Sequence, residues 1–180
     1  MSERRVSAQS PLLCSAAVAR DLLINDPSSV LAPRSHPAVE RRTFPMTLRM
    51  KSAASGTTTM QEVTIALGIP DTASGSRFPV TWSPTGHRRM LPSFRGHLEL
   101  LANDDTDTIR VDGVYRPPFG RLGAFLDAVA LHRAAQRSIQ DLVEYTATRL
   151  AETAAERAES VAWHPAPAGE LLRDRPPSVG

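Results

Sequence analysis

The 180-residue sequence has a single cysteine, Cys14, and a single lysine, Lys51. One thiol excludes an internal disulfide framework, so folding depends on a hydrophobic core, which a chain of this length is large enough to form. Aromatic residues make up only 5% of the chain, which leaves few rings for stacking on nucleic-acid bases. We expect one domain in the reducing cytoplasm.

Long apolar runs are also missing. No run approaches the roughly 18–20 residues that a membrane-spanning helix requires. The apolar patch from Pro11 to Ala19 has only Leu12 and Leu13 as large aliphatic residues before Val18, too few for the hydrophobic region of a secretory signal. We therefore expect neither a membrane span nor export.

Basic and acidic residues are almost balanced, at 21 and 19. The basic surplus lies within residues 1–60, which hold eight basic and four acidic groups. The arginine pairs at 4–5, 41–42 and 88–89 are isolated, whereas a duplex-binding surface gathers its cations on one face. We interpret these arginines as solvated surface groups and predict no nucleic-acid partner.

Residues 1–39 are predicted to form helical and irregular structure. Apolar residues from Val18 to Leu31 surround the turn signal Asn25-Asp26-Pro27, which predicts a short helix, a break and a helical turn. We identify no strand ahead of these helices.

From residue 43 the apolar pattern changes to a period of two, which is typical of half-buried strands. Alternation over residues 43–51 and 60–67, with small residues between them, predicts an antiparallel hairpin. Further alternation follows at 78–82, 94–100 and 109–115, and an Asn/Asp-rich turn joins the last two segments. The middle of the chain is therefore predicted to be an antiparallel meander of about five strands.

Beyond Pro117 and Pro118, apolar residues recur at three- and four-residue steps as far as Leu150. This spacing predicts one long amphipathic helix, about 45 Å long between residues 120 and 150. Residues 151–160 extend it, and a proline-rich, disordered tail follows from residue 161. The predicted fold is α+β, with an N-terminal segment at 1–39, a core at 40–152 and an extension and tail at 153–180.

Several motifs from Trp82 onward occur together. They are Trp82, the segment 87–100 (HRRMLPSFRGHLEL), the strand 109–115 (IRVDGVY) and the segment 116–120 (RPPFG), followed by Asp127 and Arg133. They resemble actinobacterial proteins of the START-like superfamily, also called SRPBCC or polyketide-cyclase-like. The resemblance implies a helix-grip fold, in which a curved antiparallel sheet wraps a C-terminal helix around an apolar cavity. Its members bind lipids, sterols, hormones or polyketides, and a few are cyclases or hydrolases.

The helix pattern independently predicts a cavity. Between Val129 and Ile139 the large apolar residues thin out, so small or polar groups would face the sheet there. The residues predicted to bind a ligand lie on the apolar strand faces and on the helix: Phe44, Leu48, Val63, Ile65, Trp82, Phe94, Leu98, Val111, Tyr115, Phe125, Val129, His132 and Gln136. For each strand residue, the alternative is an ordinary place in the packed core.

No catalytic residue, metal site or cofactor is predicted, and the chain has no Gly-x-Ser-x-Gly motif for a nucleophile. Arg95, His97 and Glu99 share one face of a strand, and Asp112 lies on the outward face of the next strand. These side chains could hold a metal or relay a proton, or they could form a solvated face of the sheet. The lack of a His-x-His or Cys-x-x-Cys pair favours the solvated face.

Three functions remain open. The first is non-catalytic binding of a hydrophobic small molecule, lipid-like or polyketide-like, between the sheet and the helix. The second is a cyclase or aromatase-like enzyme, with a buried acid or base such as His132 or Tyr115. The third is an interaction module whose cavity is filled by its own side chains. The volume and the lining of the space under residues 122–143 distinguish them.

Overall fold

Six antiparallel strands and three helices make up the part of the chain that this computed structural model describes, residues 3–32, 42–51, 58–70, 75–85, 93–116 and 128–162. The elements follow in the order β1 (Arg4–Pro11), α1 (Ala16–Asn25), α2 (Pro27–Leu31), β2 (Thr43–Lys51), β3 (Thr58–Leu67), β4 (Arg77–Pro84), β5 (Ser93–Leu101), β6 (Thr108–Arg116) and α3 (Ala128–Ala162). The strands form one sheet in the spatial order β1-β6-β5-β4-β3-β2. Strands β1 and β2 therefore lie at its two edges.

Strand β1 corrects the expectation that no strand precedes the first helices. It pairs antiparallel with β6, so that Val6 lies opposite Gly113 and Ala8 opposite Val111. Only Val6 and Ala8 are buried within it, and the other positions are polar, charged or proline. Two small apolar residues make a weak period-two signal, and pairing with β6 supplies the order that the local sequence does not specify. The first 39 residues thus contribute a strand as well as helices.

The predicted meander is confirmed. Strands β2 and β3 pair with Phe44 opposite Ile65, and β5 and β6 pair with Phe94 opposite Tyr115. Where side-chain burial is described, buried residues alternate with more exposed ones in all four strands, except at Gly113 of β6. The helix, break and helical turn at the N-terminus are also confirmed: Ser15 caps α1, and Asp26 caps α2 directly before Pro27.

Arg42 corrects the interpretation of the arginine pairs as solvated. Its backbone has a φ of 73°, and its guanidinium donates hydrogen bonds to the carbonyls of Leu23, Ile24, Leu67 and Gly68 at 3.0–3.2 Å. Burial lowers the pKa of this guanidinium from its ordinary value. The side chain therefore ties the end of α1 to the end of β3.

Helix α3 is about 50 Å long and packs one side against the sheet. Among its described side chains, the buried apolar residues are Ala135, Ile139, Leu142, Val143, Ala147 and Leu150. Gln136 and Gln140 donate from their amides to the carbonyls of Ser7 and Gln9, two residues apart on β1. The helix thus satisfies polar groups along an edge strand that would otherwise be open to pairing with another chain.

This arrangement confirms an α+β helix-grip fold and the predicted extension of α3 beyond residue 151. The predicted helix start at residue 120 and the predicted tail after residue 162 lie outside the described residues. Within the described ranges, no helix combines the length and apolar composition needed to cross a membrane.

Candidate functional site

Most of the predicted ligand-binding residues lie in the apolar core, on the side of the sheet that faces α3. Eight are buried there together: Phe44, Val63, Ile65, Trp82, Phe94, Leu98, Val111 and Tyr115. The side chains of Leu48 and Val129, and the whole of Phe125, lie outside the described residues. The remaining two, His132 and Gln136, are half-buried near the start of α3.

The rings of Trp82 and Phe94 stack on this core side, at the last register pair of β4 and β5. Their centroids are 4.3 Å apart and their planes differ by 19°. The ring of Phe94 also covers the paired glycines Gly96 and Gly113, because a Cβ built on either one would lie 2.6 Å from its Cζ atom. Phe94 therefore fills the space that side chains at these two positions would otherwise occupy.

The two glycines are also required by the backbone. A Cβ on Gly96 would lie 2.1 Å from the carbonyl oxygen of Asp112, and one on Gly113 would lie 2.5 Å from that of Arg95. These distances are shorter than any van der Waals contact, so a side chain at either position forces β5 and β6 to move.

Tyr115 and His132 meet where β6 ends and α3 passes. Their ring centroids are 6.2 Å apart, at an interplanar angle of 32°. Burial raises the pKa of the Tyr115 phenol above its ordinary value of 10.0, and nearby Arg4 opposes this shift in part. Their contact places His132 at the boundary between the core and a neighbouring cavity.

That cavity has a volume of about 880 Å³ and is bounded by β1, β4, β5, β6 and α3. It is lined by Arg5, Val6, Ser7, Arg77, Pro79, Thr81, Arg95, Gly96, His97, Asp112, Gly113, Val114, His132 and Gln136. Most of the strand residues in this set alternate with the buried core residues, so they belong to the opposite face of the sheet. We call this set the cavity lining.

Among the predicted ligand-binding residues with described side chains, only His132 and Gln136 belong to the cavity lining. Sequence reasoning places Arg95, His97 and Asp112 together but favours a solvated face for them. Because His97 and Asp112 occupy paired positions on neighbouring strands, the sequence pattern could have indicated a polar site here. What period-two patterning does not contain is which part of a polar face lies beside another element, here the start of α3 with His132 and Gln136.

Eight residues of the cavity lining form two rows that cross the strands, and Arg77 lies one row beyond the second. The first row runs Arg5, Val114, Arg95 and Thr81, and the second runs Ser7, Asp112, His97 and Pro79. Neighbouring strands are about 4.8 Å apart, so the backbones of Arg5 and Arg95 are separated by about 10 Å with Val114 between them. The first row therefore places two cations around an apolar residue, and the second contains one carboxylate.

Few of these charges are neutralised by close partners. Arg95, whose side chain is 75% exposed, lies 3.9 Å from the Glu3 carboxylate, which is closer to Arg116, at 3.1 Å. Arg77 donates to Nδ1 of His97 at 3.2 Å. A guanidinium is only a donor, so Nδ1 must be unprotonated in this arrangement, and the ring proton lies on Nε2. Across the described ranges, no three His, Cys, Asp or Glu side chains are grouped to hold a metal ion.

Comparisons with known proteins agree on the fold. No family model and no curated protein matches the sequence. Among solved structures, Ara h 8.0201 is similar with a TM-score of 0.54 and 16% identity, over 86% of this chain and 99% of that one.

Two bacterial structures agree with it. A conserved protein from Geobacillus kaustophilus is similar with a TM-score of 0.52 and 12% identity, over 83% of this chain and 95% of that one. TTHA0849 from Thermus thermophilus is similar with a TM-score of 0.51 and 11% identity, over 83% and 99%. At these identities the likeness shows the fold alone: the chain has a helix-grip fold, as its resemblance to START-like (SRPBCC) proteins implies.

Proposed function

We propose that the protein binds a small molecule with a largely apolar body in the cavity on the outward face of β1, β6, β5 and β4, beside the start of α3. The observation that carries this proposal is the cavity itself. Its volume of about 880 Å³ falls within the range of roughly 300–1,000 Å³ that small-molecule sites occupy. The sequence hypothesis of a hydrophobic ligand is kept, and its location moves to the cavity lining.

The change of location follows from packing. The stacked rings of Trp82 and Phe94 and the ring of Tyr115 are buried within the core cluster on the α3 side. On the other face, the cavity lining contains Pro79 and Val114 together with the bare backbone of two glycines. An apolar ligand body gains by leaving water against such a surface, by roughly 25 cal/mol per Å² buried.

Polar groups at the helix side of the cavity would orient the ligand. The Gln136 side-chain nitrogen donates to the backbone carbonyl of Ser7, so the side-chain oxygen of Gln136 remains as an acceptor. His132 adds one ring on the same side, and Thr81, on β4, adds one hydroxyl across the lining from it. A few such groups in a mainly apolar site fix orientation rather than supply affinity. The proposal includes no chemical step.

Fluorescence of N-phenyl-1-naphthylamine tests the proposal, because this neutral dye emits strongly only when it leaves water. We expect saturable binding to the wild-type protein. Thr81→Trp places a large ring in the cavity and should abolish binding while the protein stays folded. Thr47→Trp is the matched control, since Thr47 is exposed on β2 and outside the cavity lining.

The outcomes separate the three functions. Saturable binding lost only in Thr81→Trp supports the proposal. Equal binding by both tryptophan variants, or none by the wild type, overturns it and favours the interaction module. Native mass spectrometry of the purified protein then identifies any molecule that is carried along. Turnover of that molecule, lost on His132→Gln or Tyr115→Phe, would indicate the enzyme and contradict the non-catalytic interpretation.

A further inference from the structure

The charges of the cavity lining are unevenly distributed between its two rows. The first row holds Arg5 and Arg95 on either side of Val114, with no acidic residue among its four members. The second row holds Asp112 between Ser7 and His97. Adjacent rows on one face are separated by about 6.8 Å along the strand direction. The first row is therefore cationic and the second carries a carboxylate, with Arg77 one row further along the strands and bonded to His97.

The cations of the first row are available to a ligand. Arg5 makes no hydrogen bond or ion pair with the described part of the chain. Among the described residues, the Arg95 guanidinium has only the 3.9 Å contact to Glu3, a carboxylate that Arg116 already binds at 3.1 Å. Exposed ion pairs of this length contribute little, so a ligand does not have to break a strong interaction to reach Arg95.

The charges nearest to this row do not cancel it. Glu99 lies two positions beyond His97 along β5 and is bound by Arg110. Arg77 is engaged with His97 and adds a third guanidinium to the lining. Counting the lining residues alone, three arginines face one aspartate. Guanidinium groups bind carboxylates, sulfonates and phosphates through paired N–H donors, so the excess favours an acid over a neutral molecule.

We propose that the ligand is an organic anion, with an apolar body in the cavity and its acidic group over Val114, between Arg5 and Arg95. This inference rests on the proposed function and adds the chemical class of the molecule. Asp112 contributes to the orientation, because a carboxylate in the second row repels an acidic group and keeps it in the first. The two rows thus distinguish the two ends of the ligand.

Two dyes with the same ring system provide the test. 8-Anilinonaphthalene-1-sulfonate carries a sulfonate, and N-phenyl-1-naphthylamine is the same molecule without it. We expect the wild type to bind the sulfonate more tightly and to lose that preference as salt is added, because exposed charges are screened. The neutral dye should show no comparable dependence on salt.

Substitutions in the two rows should act in opposite directions. The double variant Arg5→Gln/Arg95→Gln should weaken sulfonate binding by about tenfold and leave the neutral dye unchanged. Asp112→Asn should tighten sulfonate binding by about threefold. Arg133→Gln/Arg137→Gln is the matched control, since it removes the same charge from exposed positions outside the cavity lining.

The result also separates this inference from the proposed function. If the neutral dye binds and the sulfonate gains nothing from Arg5 and Arg95, the anion preference is wrong and the cavity remains a ligand site. An equal loss in the double variant and in its control attributes the effect to net charge and also overturns the inference. If neither dye binds, the proposed function itself fails.

Discussion

The two faces of strands β4, β5 and β6 share one backbone but differ in burial and in polarity. Towards α3 they present Trp82, Phe94 and Tyr115, which are buried among other apolar side chains. Away from it they present Arg95, His97 and Asp112, which line a cavity. The comparison teaches that the face with the larger apolar residues is the closed one, and that the polar face offers the space.

Substitutions on the two faces should also differ in their effect on the free energy of unfolding. Removing a buried ring costs both its transfer free energy and the cavity that it leaves behind. Removing an exposed charge usually changes stability by less than about 0.5 kcal/mol. Stability measurements should therefore report the core face, and binding measurements should report the cavity face.

Phe94→Ala should give the largest effect. It removes the stack on Trp82 and the cover over Gly96 and Gly113, so we expect the free energy of unfolding to fall by about 4 kcal/mol. Urea denaturation followed by far-UV circular dichroism measures it. Arg95→Ala, one residue further on the opposite face, should change it by less than about 0.5 kcal/mol. Equal losses would contradict the assignment of the faces.

Gly113→Ala should come second. Its Cβ would lie 2.5 Å from the carbonyl oxygen of Arg95, so β5 and β6 must shift, at a cost of about 2–3 kcal/mol. The same denaturation experiment applies, with Ser7→Ala on the exposed face of β1 as the control. An alanine variant as stable as the wild type would show that the strands do not approach this closely.

Alkaline pH should produce a smaller effect on the core face. Because burial raises the pKa of Tyr115 in the folded state, the folded protein keeps a proton that the unfolded chain has begun to lose. The resulting stability is fully present below the unfolded pKa of about 10.0 and is lost as the pH rises through the folded pKa.

Unfolding measured near neutral pH and above pH 10.0 tests this dependence. Tyr115→Phe should lose less stability than the wild type over that interval, because it has no phenol to ionise. Tyr145→Phe is the control, since Tyr145 is exposed and should follow the wild type. A Tyr115→Phe profile that coincides with the wild-type profile would contradict the burial of this group.

The smallest change in stability belongs to the cavity face. Arg77→Gln removes the donor to Nδ1 of His97 and should alter the free energy of unfolding by less than about 0.5 kcal/mol. Its effect should appear instead in the imidazole ¹⁵N chemical shifts of His97, which report the position of the ring proton. Unchanged shifts would mean that Arg77 does not select the tautomer.

Much of the fold was predictable because its signals are local. Period-two alternation located five strands, the apolar repeat located α3, and Asp26-Pro27 located the break between α1 and α2. Strand β1 was missed because Val6 and Ala8 are too few to show a period. Arg42 was misinterpreted because nothing in its neighbourhood in sequence indicates four carbonyl partners contributed by α1, β3 and Gly68.

The candidate site divides in the same way. Which strand residues face the core and which face away follows from the amino-acid pattern, since successive side chains of a strand point to opposite faces. The folded arrangement adds three relations: Phe94 covers a glycine pair, α3 meets the edge of β1, and Arg5 approaches Arg95 across β6. In two of these three relations the residues are about 90 or more positions apart along the chain. They depend on strand register and on the packing of α3, which no local pattern encodes.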